Sequence, residues 1–131
     1  LAQESPEEHG ETHLSQGKKL LSEGRLAEAE REGDEAVSLL PQGSEAYIVL
    51  GQIYEGEGRH EEAAAEFKTA LQLDNSAVTH LWLGRVYLSM NQASLALEQG
   101  RAALRLQPGS AEAERLVDDA RKRSGAGRST P

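Results

Sequence analysis

The chain has 131 residues, no cysteine, and 22 acidic against 14 basic side chains, a formal net charge of −8. That length bounds it to one modest domain, the charge excludes general nucleic-acid binding, which needs a basic footprint, and the missing thiols exclude disulfides and thiolate metal sites. One Trp, one Phe and three Tyr are too few to anchor a large globular core. Ala, Leu, Glu, Gln and Arg dominate, and these helix-forming residues imply helices packed through small side chains. No apolar run approaches the roughly 20 residues of a membrane-spanning helix, so direct membrane insertion is not expected. The first residue is Leu1 rather than Met, which leads us to expect a processed or trimmed product, cytoplasmic or exported.

The first predicted helix, near 6–22, opens on Ser5-Pro6-Glu7-Glu8: serine caps, proline suits the first turn, and Glu8 completes a capping box. His9 and His13 lie four apart on it, a spacing that can place two imidazoles on one metal. A full site wants three or four ligands, and packing accounts for His13, so neither metal nor cofactor is expected. Gly24 ends this helix, being a residue type that accepts the left-handed conformation. The second helix, 26–40, stops at Pro41. Ser44 stands as the cap of the third, 45–57, which Gly58 ends. His60 opens the fourth, 60–73, in a solvated position. Ser76 caps the fifth, 77–90, ended by Asn91, and the sixth, 93–106, stops before Pro108. Ser110 caps the seventh, 111–123, on which Ala113, Leu116, Val117 and Ala120 form one apolar stripe. Residues 124–131 have no apolar pattern and are expected to be disordered.

These helices fall into a repeat. Leu50-Gly51-x-x-Tyr54 recurs as Leu83-Gly84-x-x-Tyr87 and, degenerately, as Gln16-Gly17-x-x-Leu20. At fixed offsets follow Gly24, Gly58 and Asn91, then Ala29, Ala63 and Ala96, then Ala36, Ala70 and Ala103. Pro41, Asn75 and Pro108 close the units. In period and in its small–large–aromatic order this pattern resembles the tetratricopeptide repeat family over residues 10–123. The resemblance implies an all-α, right-handed α-solenoid of three helix-turn-helix units. The expected organisation is an extension over 1–9 that runs into the first helix, repeats over 10–43, 44–76 and 77–110, a capping helix over 111–123 and a tail over 124–131. One departure stands out. Where the second repeat has Phe67, the others have Gly33 and Gly100. Either the helices touch closely there, or a neighbouring side chain fills the gap, and the second is the expectation.

Nothing in the sequence supports catalysis, and no enzyme is expected. There is no Gly-x-Ser-x-Gly elbow and no phosphate-binding glycine loop. Neighbouring carboxylates such as Glu61-Glu62 and Asp118-Asp119 point apart on solvated helix faces.

The resemblance implies instead a scaffold or adaptor that binds a peptide or protein segment on a concave face built from the first helix of each pair. The inward positions it implies are Glu11, Leu14, Lys18 and Leu21, then Glu45, Ile48, Gln52 and Glu55, then Val78, Leu81, Trp82, Arg85 and Leu88. Lys18, Gln52 and Arg85 would form a row at equivalent positions. With Ile48, Glu55, Leu81 and Trp82 they make the expected partner-binding groove. Trp82 could equally pack against an adjacent helix. Some family members clamp a chaperone's C-terminal carboxylate with Lys, Asn, Asn, Lys and Arg. Here those places hold Leu14, Lys18, Val49, Val78 and Trp82, so chaperone-tail binding is not expected. Two alternatives remain. The acidic start (Glu4, Glu7, Glu8, Glu11) and basic end (Arg121, Lys122, Arg123, Arg128) suit weak head-to-tail self-association, and the chain could be the regulatory domain of a larger or membrane-anchored protein.

Overall fold

The computed structural model describes residues 3–125, which contain seven α-helices and no strand. They are α1 (Pro6–Ser22), α2 (Leu26–Leu39), α3 (Ser44–Gly56), α4 (His60–Leu73), α5 (Ala77–Ser89), α6 (Ala93–Leu106) and α7 (Ala111–Ser124). The fold is the all-α helical repeat expected from the sequence. Each helix pair turns on a left-handed residue: φ is 75° at Gly24, 76° at Gly58 and 59° at Asn91. The amide just after each of them reaches back six residues' span into the helix, Arg25 to the Leu20 carbonyl, Arg59 to Tyr54 and Gln92 to Tyr87, at 2.8–2.9 Å. This closes the orphan carbonyls of the helix end and sends the chain into its antiparallel partner.

At the other helix ends, the Ser5–Glu8 capping box forms in both directions. The hydroxyls of Ser76 and Ser110 accept from the amides of Thr79 and Ala113, each at 3.2 Å. Ser44 corrects the expectation. It is the first helical residue of α3, and Gly43 is the cap, with no side chain to bond. Gly43 is the register equivalent of Ser76 and Ser110, so the expected serine lies one residue too late. Ser110→Ala should therefore cost about 1 kcal/mol, while Ser44→Ala should stay within about 0.5 kcal/mol of wild type. Paired thermal melts check this, and equal costs would refute the assignment. At the C-terminal side, Ser124 is still helical and Gly125 turns left-handed at φ 77°. The remainder of the expected disordered tail lies outside the described residues.

The chain forms two compact units, residues 1–74 and 75–131. In the first, α1 packs on α2 and α3, α2 on α3, and α3 on α4. Its core joins Leu14, Val49 and Ile53 to the alanines at 29, 36 and 46. In the second, α5 packs on α6 and α7, and α6 on α7. There Leu81 and Leu116 meet Ala77, Ala103 and Ala113. The repeat alanines Ala29, Ala36, Ala63, Ala70, Ala96 and Ala103 are all fully buried. Full burial leaves no free space for a larger side chain at any of them.

The Phe67 position shows how the repeats differ. Its ring, fully buried, lies on Gly51 so tightly that a Cβ there would sit 2.7 Å from a ring carbon. At Gly33 the space of a side chain is occupied by Leu50 and Ile53 of α3, and at Gly100 by Val117 of α7. At Gly33 neighbouring side chains fill the gap, as expected. At Gly100 the Val117 side chain does so too, but the α7 backbone also comes close, its Val117 nitrogen 3.4 Å from where a Cβ would stand. The two positions match, since Val117 stands to Gly100 as Leu50 stands to Gly33.

Candidate partner-binding surfaces

In the first unit, α1 and α3 lie side by side and Lys18 Nζ meets Glu45 Oε2 across them at 2.9 Å. Both partners are more than half exposed, so the pair contributes at most about 1 kcal/mol and mainly orients the two side chains. Beside it opens a pocket of about 430 Å³ lined by Lys18, Leu21, Ser22, Glu45, Ile48, Val49 and Gln52. The helical spacing explains the set: Lys18, Leu21 and Ser22 share one face of α1, and Glu45, Ile48, Val49 and Gln52 one face of α3. Three expected groove residues, Lys18, Ile48 and Gln52, are therefore brought together. Glu55 is not in the lining. Its carboxylate accepts from His60 Nδ1 at 3.0 Å, which also corrects the view of His60 as merely solvated.

In the second unit, Arg85 Nη2 meets Glu112 Oε2 at 3.0 Å, and the guanidinium lies 5.4 Å from the centre of the Trp82 ring. A pocket of about 480 Å³ is lined there by Arg85, Leu88, Glu112, Arg115, Leu116 and Asp119. Trp82 is half-buried. Leu81 corrects the expectation. It is only 5% exposed, because α7 lays Ala113 and Leu116 over it. Leu14, also placed inward by the resemblance, is 4% exposed and belongs to the first unit's core.

The two pockets are register twins. Arg85, Leu88, Glu112 and Leu116 occupy the places of Lys18, Leu21, Glu45 and Val49. Arg115 stands where Ile48 does, and Asp119 where Gln52 does. A second pair of equivalents supports the match: His13 Nδ1 donates to Glu32 at 2.5 Å, and His80 Nδ1 lies 2.7 Å from Gln99 Oε1. The expectation of α7 as a capping helix leaves out Glu112, Arg115 and Asp119. The available signal was that Pro108-Gly109-Ser110 repeats the Pro41-Gln42-Gly43 approach to α3.

Charge separates the two units. The first holds 17 carboxylates against 6 Lys and Arg, net −11, and the second 5 against 8, net +3. In the first, Arg59 is gripped by Glu30 at 2.7 Å, by Glu57 at 3.3 Å and by Glu62, and it lies over the Tyr54 ring at 4.5 Å. Burial, with Asp34 and Glu30 nearby, pushes the Tyr54 phenol up to about 12. Burial and then the Asp34 charge raise the Glu66 carboxyl above its usual range. Burial, then Glu30, does the same to Asp34.

The rings of His9 and His13 are 6.1 Å apart and tilted. Among the described residues no group of three or more His, Cys, Asp or Glu is placed to hold a metal ion. None of the described helices is long and apolar enough to cross a membrane.

Helix pairs that turn on a left-handed residue and close on buried alanines define a helix-turn-helix repeat protein. The model of the tetratricopeptide repeat matches residues 9–78, and the chain belongs to that family. Cellulose synthase operon protein C of Escherichia coli (strain K12) is 36% identical over 108 residues, which is 82% of this chain and 9% of that protein. The chain thus corresponds to less than a tenth of that relative. The crystal structure of MamA protein superposes with a TM-score of 0.84 at 26% identity, covering 88% of this chain and 64% of MamA. The second repeat domain of human RPAP3, solved with the HSP70 peptide SGPTIEEVD, gives 0.85 at 17% identity, covering 89% and 98%.

Proposed function

We propose that the chain is a protein-interaction module without catalytic activity, which holds a peptide or protein segment against the first helices of its repeats. The observation that carries this reading is the first-unit pocket. A half-buried Ile48 and a buried Val49 floor a groove whose rim, Lys18, Glu45 and Gln52, is polar. Apolar floor and polar rim suit a peptide that buries one side chain and hydrogen-bonds alongside. In the second unit Trp82 and Arg85 are of the residue types that most often dominate binding energy. The HSP70 peptide on RPAP3 is not the proposed ligand, because the clamp positions hold Leu14, Lys18, Val49, Val78 and Trp82, with Leu14 and Val49 buried here. The test is capture of partners from the native source by wild type and by a Lys18→Ala/Trp82→Ala/Arg85→Ala variant of unchanged helicity. A loss of about tenfold or more in captured partner is expected. Retention of every partner by the folded variant would exclude these surfaces.

The split of −11 against +3 favours one second reading, weak self-association of opposite ends. Sedimentation would then show a salt-sensitive oligomer, and a monomer at all concentrations and ionic strengths removes it.

A further inference from the structure

We propose that the first-unit groove selects a basic segment, one that carries aliphatic anchors among Lys or Arg residues, and that its twin in the second unit rejects the same segment. This rests on the reading of the groove as a partner site and adds the chemistry of the partner.

The pocket itself is electrically balanced, its one cation being used up. Lys18 is paired with Glu45. The unit around it is not balanced. Of its six cations, Arg25 is held by Glu23 and Glu28, and Arg59 by Glu30, Glu57 and Glu62. The surplus of eleven carboxylates therefore sets the field into which a ligand moves. The raised carboxyls of Asp34 and Glu66 reflect burial together with that crowding of like charge. A ligand bearing Lys or Arg gains both in approach and in register, whereas an acidic one is repelled. The floor asks for something else. Ile48, Leu21 and Val49 offer carbon and no donor, so the buried part of the ligand is aliphatic. The two demands together describe a cationic segment with leucine- or isoleucine-like anchors.

The twin pocket shows which residues decide the choice. It keeps the cation–glutamate brace and the aliphatic wall, but Arg115 replaces Ile48 and Asp119 replaces Gln52. Among the described residues Arg115 makes no ion pair, and its unit carries net +3. Arg115 is exposed and offers an apolar anchor no seat, and the net +3 of its unit gives a basic segment no attraction. Ile48 is therefore the specificity-determining position.

The experiment uses the whole chain and two synthetic peptides, each with two leucines one helical turn apart, set among lysines in one and among glutamates in the other. Fluorescence anisotropy at low and raised salt gives affinities, and amide shifts locate the site. The expected result is tenfold or greater preference for the lysine peptide, weakening with salt. Shifts should centre on Lys18, Ile48 and Gln52, and Ile48→Arg should abolish the preference. Glu45→Gln, an exposed change that cannot disturb the core, should weaken the lysine peptide by a few-fold. Equal binding of both peptides at the Ile48 site overturns the charge selection and leaves the groove reading standing. Lysine-peptide binding that ignores Ile48→Arg and shifts other residues overturns the groove reading itself. Binding of neither peptide overturns the proposal.

Discussion

Replacing Phe67 with alanine is expected to destabilise the first unit by about 3–5 kcal/mol, the range for truncating a fully buried aromatic. A small domain has about 5–15 kcal/mol in total, so the variant should be near unfolding at room temperature. The reason for choosing this residue is its lack of any substitute. The ring sits on Gly51, where a Cβ would meet ring carbons, and the two other repeats have glycine, Gly33 and Gly100, in the place of Phe67. Urea unfolding measures the loss, and hydrogen exchange should locate it in α3 and α4. The pair is also coupled. Gly51→Ala should be costly beside Phe67, where its Cβ would meet ring carbons at 2.7–2.9 Å, and much milder once Phe67 is alanine. A double-mutant cycle giving additive costs would show that the ring does not fill the place described.

The second large effect is the reverse substitution, Gly100→Phe, which restores to the third repeat the aromatic that the second repeat has. On sequence grounds it looks favourable, because glycine in a helix costs about 1 kcal/mol relative to alanine. The structure predicts the opposite. A Cβ at position 100 would lie 2.7 Å from Val117 Cγ2 and 3.4 Å from the Val117 backbone nitrogen. The methyl could swing away, but the backbone of α7 cannot. Overpacking typically costs about 1–3 kcal/mol, and more where backbone must move, so the expected loss is at or above the upper end. Val117→Ala should recover part of it. Gly33→Ala makes a useful contrast. Its nearest obstacle is the end of the Leu50 side chain at 3.0 Å, which can turn aside, and the helix gain should bring the net change close to zero. Thermal unfolding of the three variants decides. Stabilisation by Gly100→Phe would mean that α7 does not occupy that space.

These cases mark what was legible in the sequence. Helix number, limits and turns were, because they depend on local chemistry: Gly24, Gly58 and Asn91 need no distant partner to turn left-handed. Groove residues were only partly so. Lys18, Ile48 and Gln52 do meet in one pocket, yet Leu81 is core because α7, more than thirty residues on, covers it. The Lys18–Glu45 and Arg85–Glu112 pairs, and the filling of Gly33 and Gly100, likewise join residues far apart in sequence, and single positions give no hint of them. Ser44 was misplaced for a smaller reason: the loop before α3 holds its cap one residue earlier, as Gly43.

The closely fitted alanines also bear on how such a chain changes over generations. Where helices meet through a methyl group, nearly every exchange at that place is a loss, while the broad polar faces can drift almost freely. Descent in a molecule of this kind preserves intervals between small residues more faithfully than it preserves chemistry. Two descendants can come to share an architecture in full while keeping few identical letters.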